Sequence, residues 1–343
     1  MPQAFDHLVR LDGSHKIGLG HVYRSRELAL KLQKQGQKTI FLINNNKSVR
    51  NLTKGFTTEV LSDEYSSQEV ILKTREIIKK FKVKVIISDL LFYPDYYKNF
   101  LKTLNIHTVT FHEHLTKDNF SKVIINYNTF KDSLINTDLN DNDCLGPRFC
   151  LLPEKIKTYE TIKIKKNVEK ILLTFGGSDP QNYSIKVIRI LNNLGKLSRN
   201  LKEIILHLGP ENNETNKIKS LIKSSPLSIR LVEGVEDFPR LMKEADLAIC
   251  SGGNTMYELC YLGIPSIVLP QNLHQENFSK ELFDNQYLKM IKVDSVDFDD
   301  TLRRNLFELM NDLKLRKEYH SKSIKLFDGL GLDRITDRIL NLL

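Results

Sequence analysis

Cysteine is scarce in this chain and forms no familiar pattern. Cys144, Cys150, Cys250 and Cys260 are the only four in 343 residues. None makes a Cys-x-x-Cys pair or stands at metal-like spacing from a histidine, so neither a zinc site nor a disulfide framework is indicated. Cys250, inside the apolar run 247–250, reads as a buried thiol. No stretch approaches the roughly 20 apolar residues of a membrane span. The first residues lack the positive-then-apolar layout of a secretory leader. A cytoplasmic protein without membrane insertion is the expectation. There is also no arginine-rich tail and no stripe of interleaved aromatic and basic residues, which argues against nucleic acid as a partner.

Positive charge is in excess, 51 Lys+Arg against 42 Asp+Glu, but it is scattered. Most of it reads as solvated helix faces, with a general pull on an anionic ligand as the remaining contribution. The apolar share of 41% supplies a proper core, and the length suits two domains.

Short apolar runs alternate with helical patterns. In the first half, strands are expected at 7–12, 39–44, 57–62, 83–90, 107–113 and 122–128, with helices at 20–35, 66–81 and 94–104. The strands are nearly continuous in apolar or β-branched residues, as parallel strands covered on both faces require. After a polar stretch at 129–145, a connection is expected over 151–168. The alternation then restarts, with strands at 169–177, 202–209, 228–234, 246–253, 265–270 and 287–293. Helices are expected at 183–195, 213–224, 238–245, 254–263, 274–285, 298–311 and 314–343. This rhythm predicts an α/β protein of two doubly wound domains, 1–150 and 169–343, facing across a ligand cleft.

Three loops could carry chemistry. In the first, a strand ends at Asp12 and a helix begins near His21, with Gly18-Leu19-Gly20-His21 between them. Gly18 and Gly20 permit close backbone approach. A neutral His21 over the ligand-side rim could take a proton from water. Taken alone, the loop favours a plain turn with an incidental histidine. Arg10 and Asp12 share a face of the strand. Asp12 could orient His21, meet a sugar hydroxyl, or simply anchor the loop.

The second loop is Gly176-Gly177-Ser178-Asp179-Pro180, following a buried strand. Its N–H groups and the next helix N-terminus suit a diphosphate. It lacks the Lys-Ser or Lys-Thr of a P-loop and the Gly-x-Gly-x-x-Gly of a dinucleotide site. The third loop is the most informative. Gly252 and Gly253 precede a helix that Asn254 could cap, and Glu258 lies one turn in on the same face. A carboxylate there could accept hydrogen bonds from both hydroxyls of a ribose, with the diphosphate at the helix N-terminus. Alternatively, Glu258 is a favourable acid near a helix start. Gln271, Asn272, His274, Gln275 and Asn277 crowd the following rim, as if something polar were being read. The run Phe111-His112-Glu113-His114 offers a His-x-His spacing without evident third and fourth ligands, so no metal is expected.

Taken together, these motifs resemble the UDP-2,4-diacetamido-2,4,6-trideoxy-β-L-altropyranose hydrolases of pseudaminic acid synthesis and the related spore-coat polysaccharide proteins. The resemblance rests on 10–36, 145–155, 175–182 and 251–275 and spans nearly the whole chain. It implies two Rossmann-like domains in a GT-B arrangement with an interdomain cleft. It further implies a C-terminal domain that binds UDP and an N-terminal domain that brings the reacting loop. His21, with Asp12, takes the catalytic place, positioning or deprotonating a water that attacks the anomeric carbon with inversion. The implied substrate contacts are Arg10, Gly18, Gly20, Arg24, Asp89, Gly176, Gly177, Ser178, Asp179, Val235, Gly252, Gly253, Asn254, Thr255, Glu258, Gln271, Asn272, Gln275 and Asn277. No cofactor and no metal are implied. The partners implied are a UDP-sugar substrate and other enzymes of the same sugar pathway.

Two departures from the family pattern bear on the sugar. Leu91 stands where an aromatic is expected, with Tyr93, Tyr96 and Tyr97 nearby, and His112 and His114 replace an Asp pair. Two other readings stay open. One is a GT-B glycosyltransferase, whose acceptor site finds its nearest candidate in 41–56. The other is a catalytically silent nucleotide-sugar binder.

Overall fold

The computed structural model describes residues 4–15, 17–112, 120–128, 142–193 and 200–343. They form two compact units, one of Met1–Glu154 with Gly329–Leu343 and the other of Lys155–Asp328.

The first unit runs β1 (His7–Leu11), α1 (Gly20–Lys34), β2 (Thr39–Ile43), α2 (Lys47–Leu52), β3 (Thr57–Val60), α3 (Ser67–Phe81), β4 (Val85–Asp89), α4 (Asp95–Lys102), β5 (His107–Phe111), β6 (Val123–Asn126) and β7 (Cys144–Leu145). The strands form one parallel sheet in the order β3-β2-β1-β4-β5-β6-β7. Every residue of β1, β2 and β4 is buried, which is why these runs show no polar alternation. Leu8, Ile40, Leu42 and Ile86 pack with Val70 and Ile77 of α3. Leu28, Ala29 and Leu32 of α1 are buried as well. The Ser66 and Asn46 side chains cap α3 and α2. The six-residue α2 is too short to show a helical period, so its sequence does not announce it.

The second unit runs β8 (Lys170–Thr174), α5 (Tyr183–Asn192), β9 (Glu203–Leu208), α6 (Thr215–Lys223), β10 (Ile229–Glu233), α7 (Phe238–Met242), β11 (Leu247–Cys250), α8 (Asn254–Leu262), β12 (Ser266–Val268), α9 (Leu273–Asp284), β13 (Lys289–Met290), α10 (Phe298–Asn311) and α11 (Leu313–Leu326). Its parallel sheet has the order β10-β9-β8-β11-β12-β13. Residues 155–168 are stitched to this unit. Arg316 donates to the carbonyls of Lys165 and Lys166 at 3.0 and 2.7 Å, and Ile162 N–H to Leu262 O at 2.9 Å.

The tail departs from expectation. The helix expected over 314–343 breaks at 327–330, and α12 (Gly331–Leu340) joins the first unit. The reason is local: buried Leu332, Ile335 and Ile339 give α12 an apolar face, and Asp333 meets Lys31 of α1 at 2.6 Å. No helix among the described residues is long and apolar enough to cross a membrane.

In both sheets the strand order reverses direction once, between β1 and β4 and between β8 and β11. Ligands of open parallel sheets bind outside the carboxyl ends of the strands at such a switch point. The loops after β1 and β4, and those after β8 and β11, lead into most of the residues singled out by the sequence, while Val235 follows β10 and Gln271 to Asn277 follow β12.

Candidate active site

His21 is the second residue of α1 and only 5% exposed. Its Nδ1 lies 2.6 Å from Oδ1 of Asp89, the last residue of β4. An ionised carboxylate can only accept, so pairing with Asp89 calls for the imidazole hydrogen on Nδ1; Arg24 Nη2, which can only donate, also lies 3.0 Å from that nitrogen, and one tautomer cannot serve both contacts as hydrogen bonds. Asp89 is fully buried and accepts from three further donors: Arg24 Nε at 2.7 Å, Arg24 Nη2 at 2.5 Å and Ser25 Oγ at 2.8 Å. Burial alone would raise its carboxyl pKa. The Arg24 guanidinium and the His21 ring outweigh burial and hold the group far below the usual carboxylate range. Arg24 also donates to Tyr127 Oη at 3.1 Å and lies 4.8 Å from the Phe111 ring centroid. The helix supplies the spacing, since His21, Arg24 and Ser25 are three and four apart and face one way.

This geometry corrects three expectations. Arg24 and Asp89 were expected to contact substrate, but their polar atoms are engaged with each other, with His21 and with Tyr127. Both brace the His21 ring. Asp12 does not orient His21. It accepts from Arg10 Nη1 and Nη2 at 2.7 and 2.9 Å and from Tyr65 Oη at 3.0 Å. A partner two residues away on the same strand face wins over one across the loop. Asp12 remains at the rim with 14% of its side chain exposed, whereas Arg10 is buried behind it.

The intervening loop is built rather than loose. Gly18 has φ +86, a region few other residues adopt, and its N–H donates to Ser14 O at 2.7 Å. Gly20 opens α1. Asn44, beyond β2, clamps Gly13 with two bonds of 3.0 and 2.8 Å, a role its sequence context did not reveal. Tyr93 and Tyr97 are buried and bonded to Ser88, so they are structural. Leu91 and Phe92 are exposed. His112 stacks on Tyr93 with ring centroids 5.0 Å apart, while Glu113 and His114 lie outside the described residues. Among the described residues no three His, Cys, Asp or Glu side chains group to hold a metal.

In the second unit, three helices follow the singled-out loops, and their N-termini differ. At α5 the Asp179 carboxylate accepts from Tyr183 N–H and Ser184 N–H, both at 2.8 Å. Burial raises its pKa, against those bonds and one from Gln271. The helix end expected to receive a diphosphate is thus filled by the chain's own carboxylate. At α9 the Asn272 side chain caps Gln275 N–H at 2.9 Å. At α8 no side-chain cap bond is seen among the described residues. Gly253 occupies the cap position and Asn254 is the first helical residue, correcting the expectation that Asn254 caps it. Thr255 and Glu258 follow on α8, both partly buried.

The polar cluster at 271–277 is mostly structural. Buried Gln271 accepts from Gln181 N–H at 3.1 Å and donates to Asp179 Oδ1 at 3.3 Å, tying the two loops together. Gln275 Oε1 accepts from the N–H groups of Gly252 and Gln271 at 3.1 and 3.0 Å. Asn277 is exposed. Gly176 and Gly177 follow β8, Ser178 is buried beside them, and Val235 follows β10 half-exposed. Gly209, missed in the sequence, directly follows β9, where a Cβ would meet Gly176 O at 2.2 Å, so it lets the two strand-end loops touch.

Residues 171–334 match the family described as glycosyltransferase family 28 C-terminal domain. The chain is 28% identical over 330 residues to the spore coat polysaccharide biosynthesis protein SpsG of Bacillus subtilis, covering 95% of each. It is 25% identical over 271 residues to a Helicobacter pylori protein named pseudaminic acid cytidylyltransferase and UDP-2,4-diacetamido-2,4,6-trideoxy-beta-L-altropyranose hydrolase, covering 77% of this chain and 44% of that one. Among solved structures it is similar to Acinetobacter baumannii MurG, with a TM-score of 0.70, 18% identity and coverage of 98% and 99%. With its two parallel-sheet units, the chain is a GT-B fold protein whose residues 171–334 match the glycosyltransferase family 28 C-terminal domain.

Proposed function

We propose that this chain is an enzyme of surface polysaccharide synthesis that breaks the bond between the anomeric carbon of a UDP-linked sugar and its diphosphate. The observation that carries this reading is the His21–Asp89 pair, 2.6 Å apart and braced by Arg24. In the tautomer that donates Nδ1–H to Asp89, the imidazole has Nε2 as proton acceptor, the arrangement a general base needs. An incoming hydroxyl gives its proton to Nε2 while its oxygen attacks C1. The C1–O bond to the diphosphate breaks, and a single displacement inverts the configuration. In the second unit by itself, the N–H groups of Gly253, Asn254 and Thr255 at the start of α8 suit the diphosphate charge of UDP, and the Glu258 carboxylate suits the ribose hydroxyls.

Glycosyl transfer is the reading favoured for the nucleophile, an acceptor hydroxyl rather than water. It is supported by the family 28 match over 171–334 and by the likeness in fold to MurG. Hydrolysis is the second reading. Its support is the 25% identity with the Helicobacter pylori protein whose name includes such a hydrolase. The same base and leaving-group site serve both, with water in the acceptor's place.

Product analysis separates them. The chain is incubated with a panel of UDP-sugars, with and without glycosyl acceptors, and UDP, free sugar and conjugate are measured. UDP release that depends on acceptor supports transfer, and free sugar formed with water alone supports hydrolysis. UDP binding without turnover in every arm would leave a silent binder. Undiminished turnover in His21→Gln would remove the histidine from the mechanism.

A further inference from the structure

One histidine at the rim of the second unit has no part in the mechanism above. His207 is the penultimate residue of β9, in register with Thr174, which ends β8 and leads into the Gly176–Gly177 loop. Its Nδ1 is 3.0 Å from the Thr174 hydroxyl oxygen. Its ring lies against Phe238, centroids 4.6 Å apart and planes tilted by 42°. Phe238 opens α7 directly after the loop 234–237. The ring is thus fixed on both sides, by a hydroxyl under one strand-end loop and by an aromatic beneath the other. Partial burial pushes the imidazole pKa down to about 4, so the ring is neutral at ordinary pH. No side chain or backbone group among the described residues meets Nε2, and that nitrogen is not sealed from solvent.

We propose that His207 contacts the nucleoside part of the nucleotide, presenting Nε2 to a neutral polar group of the base or ribose. Three observations converge on this. The residue stands at the carboxyl end of a strand beside the switch point, where open parallel sheets take their ligands. The ring is fixed at Nδ1 and on one face, a fixation that serves to aim its remaining nitrogen. A neutral imidazole offers one directional hydrogen bond and no charge, which matches a base or sugar edge and not a diphosphate. The proposal rests on the nucleotide-sugar reading above and deepens it.

Calorimetric titration of the full chain with UDP, uridine and inorganic diphosphate tests it. His207→Phe keeps an aromatic ring against Phe238 and removes the polar edge. It is expected to weaken UDP and uridine about tenfold each and to leave inorganic diphosphate unchanged. His207→Gln, which restores a polar terminus at similar reach, is expected to recover most of the loss. In the wild-type chain the His207 ring resonances are expected to shift on adding uridine and to stay put with inorganic diphosphate. This measurement holds even if a variant fails to fold. Wild-type uridine affinity in His207→Phe, or ring resonances indifferent to uridine, overturns the proposal and leaves the nucleotide-sugar reading standing. A wild-type chain that binds neither UDP nor uridine overturns both.

Discussion

His21 is paired with Asp89, 68 positions away. Asp89→Asn keeps the shape but offers an amide where Arg24 and Ser25 need an acceptor. Breaking a buried charged pair from one side typically costs about 3–5 kcal/mol, so the variant is expected to melt well below the wild type. Its turnover per folded molecule is expected to fall by ~10²–10⁴, the range of a lost or misaligned general base. Thermal melting and turnover on the folded fraction check this. A variant with normal stability and normal turnover would show that Asp89 does not orient the base. At this scale the sequence was legible in kind but not in pairing. His21 and Asp89 were both singled out, yet the partner considered for His21 was Asp12, which ends the strand and could equally meet a sugar hydroxyl or anchor the loop. Arg10, two residues from Asp12 on the same strand face, holds it instead.

At the scale of elements, near-continuous apolar strands and three-to-four spacing made most of the alternation legible, because burial on both faces leaves that mark. What periodicity cannot say is which surface a helix covers. The run 314–343 read as one helix, and only packing shows its break at 327–330 and sends the apolar face of α12 to α1 and to 147–150. Loop chemistry was ambiguous for a related reason. Gly176 to Asp179 looks like an anion cradle, but Asp179 turns back onto the N-terminus of α5 and serves as its own anion. The Gln271 and Gln275 side chains, read as ligand contacts, satisfy backbone and side-chain groups of neighbouring loops. The docking of α12 gives a sharp test. A Cβ on Gly331 would lie 2.2 Å from Cys150 O and 2.6 Å from Cys150 N, both backbone atoms. Gly331→Ala must therefore displace the helix start, and overpacking of this kind costs about 1–3 kcal/mol. A lower melting temperature and faster proteolytic cleavage near 327–330 are expected. An unchanged melt would mean that the α12 contact adds nothing to the first unit.

Across the whole molecule the two units repeat one plan, in which each switch point carries a loop pair. The pair in the first unit holds His21 and Asp89, and the pair in the second holds the N-terminus of α8. The doubly wound plan was legible because strands alternate with helices along the chain, whereas the order of the strands is seen only in the structure. The buried polar residues that do not serve it are legible only in three dimensions, and His7 is the clearest. It is fully buried in β1, and neither ring nitrogen has a hydrogen-bond partner among the described residues. Burial, with a smaller push from Lys84 and against Asp6, lowers its pKa from 6.5 to about 4. Because the folded value is depressed, the unfolded chain takes up a proton first as pH falls from 6.5 towards 4. Stability therefore declines through that window. At pH 5 the His7 contribution amounts to about 2 kcal/mol lost relative to pH 7. His207, also held near 4, adds in the same direction in the second unit. His7→Leu removes the titration and two unsatisfied nitrogens, so it is expected to be at least as stable as the wild type at pH 7. Its denaturation midpoint is expected to fall less between pH 7 and pH 5, with the remaining slope left to His207. Urea unfolding of both chains at the two pH values decides the matter. Equal slopes in wild type and His7→Leu would mean that His7 is hydrated in solution and titrates as an ordinary histidine.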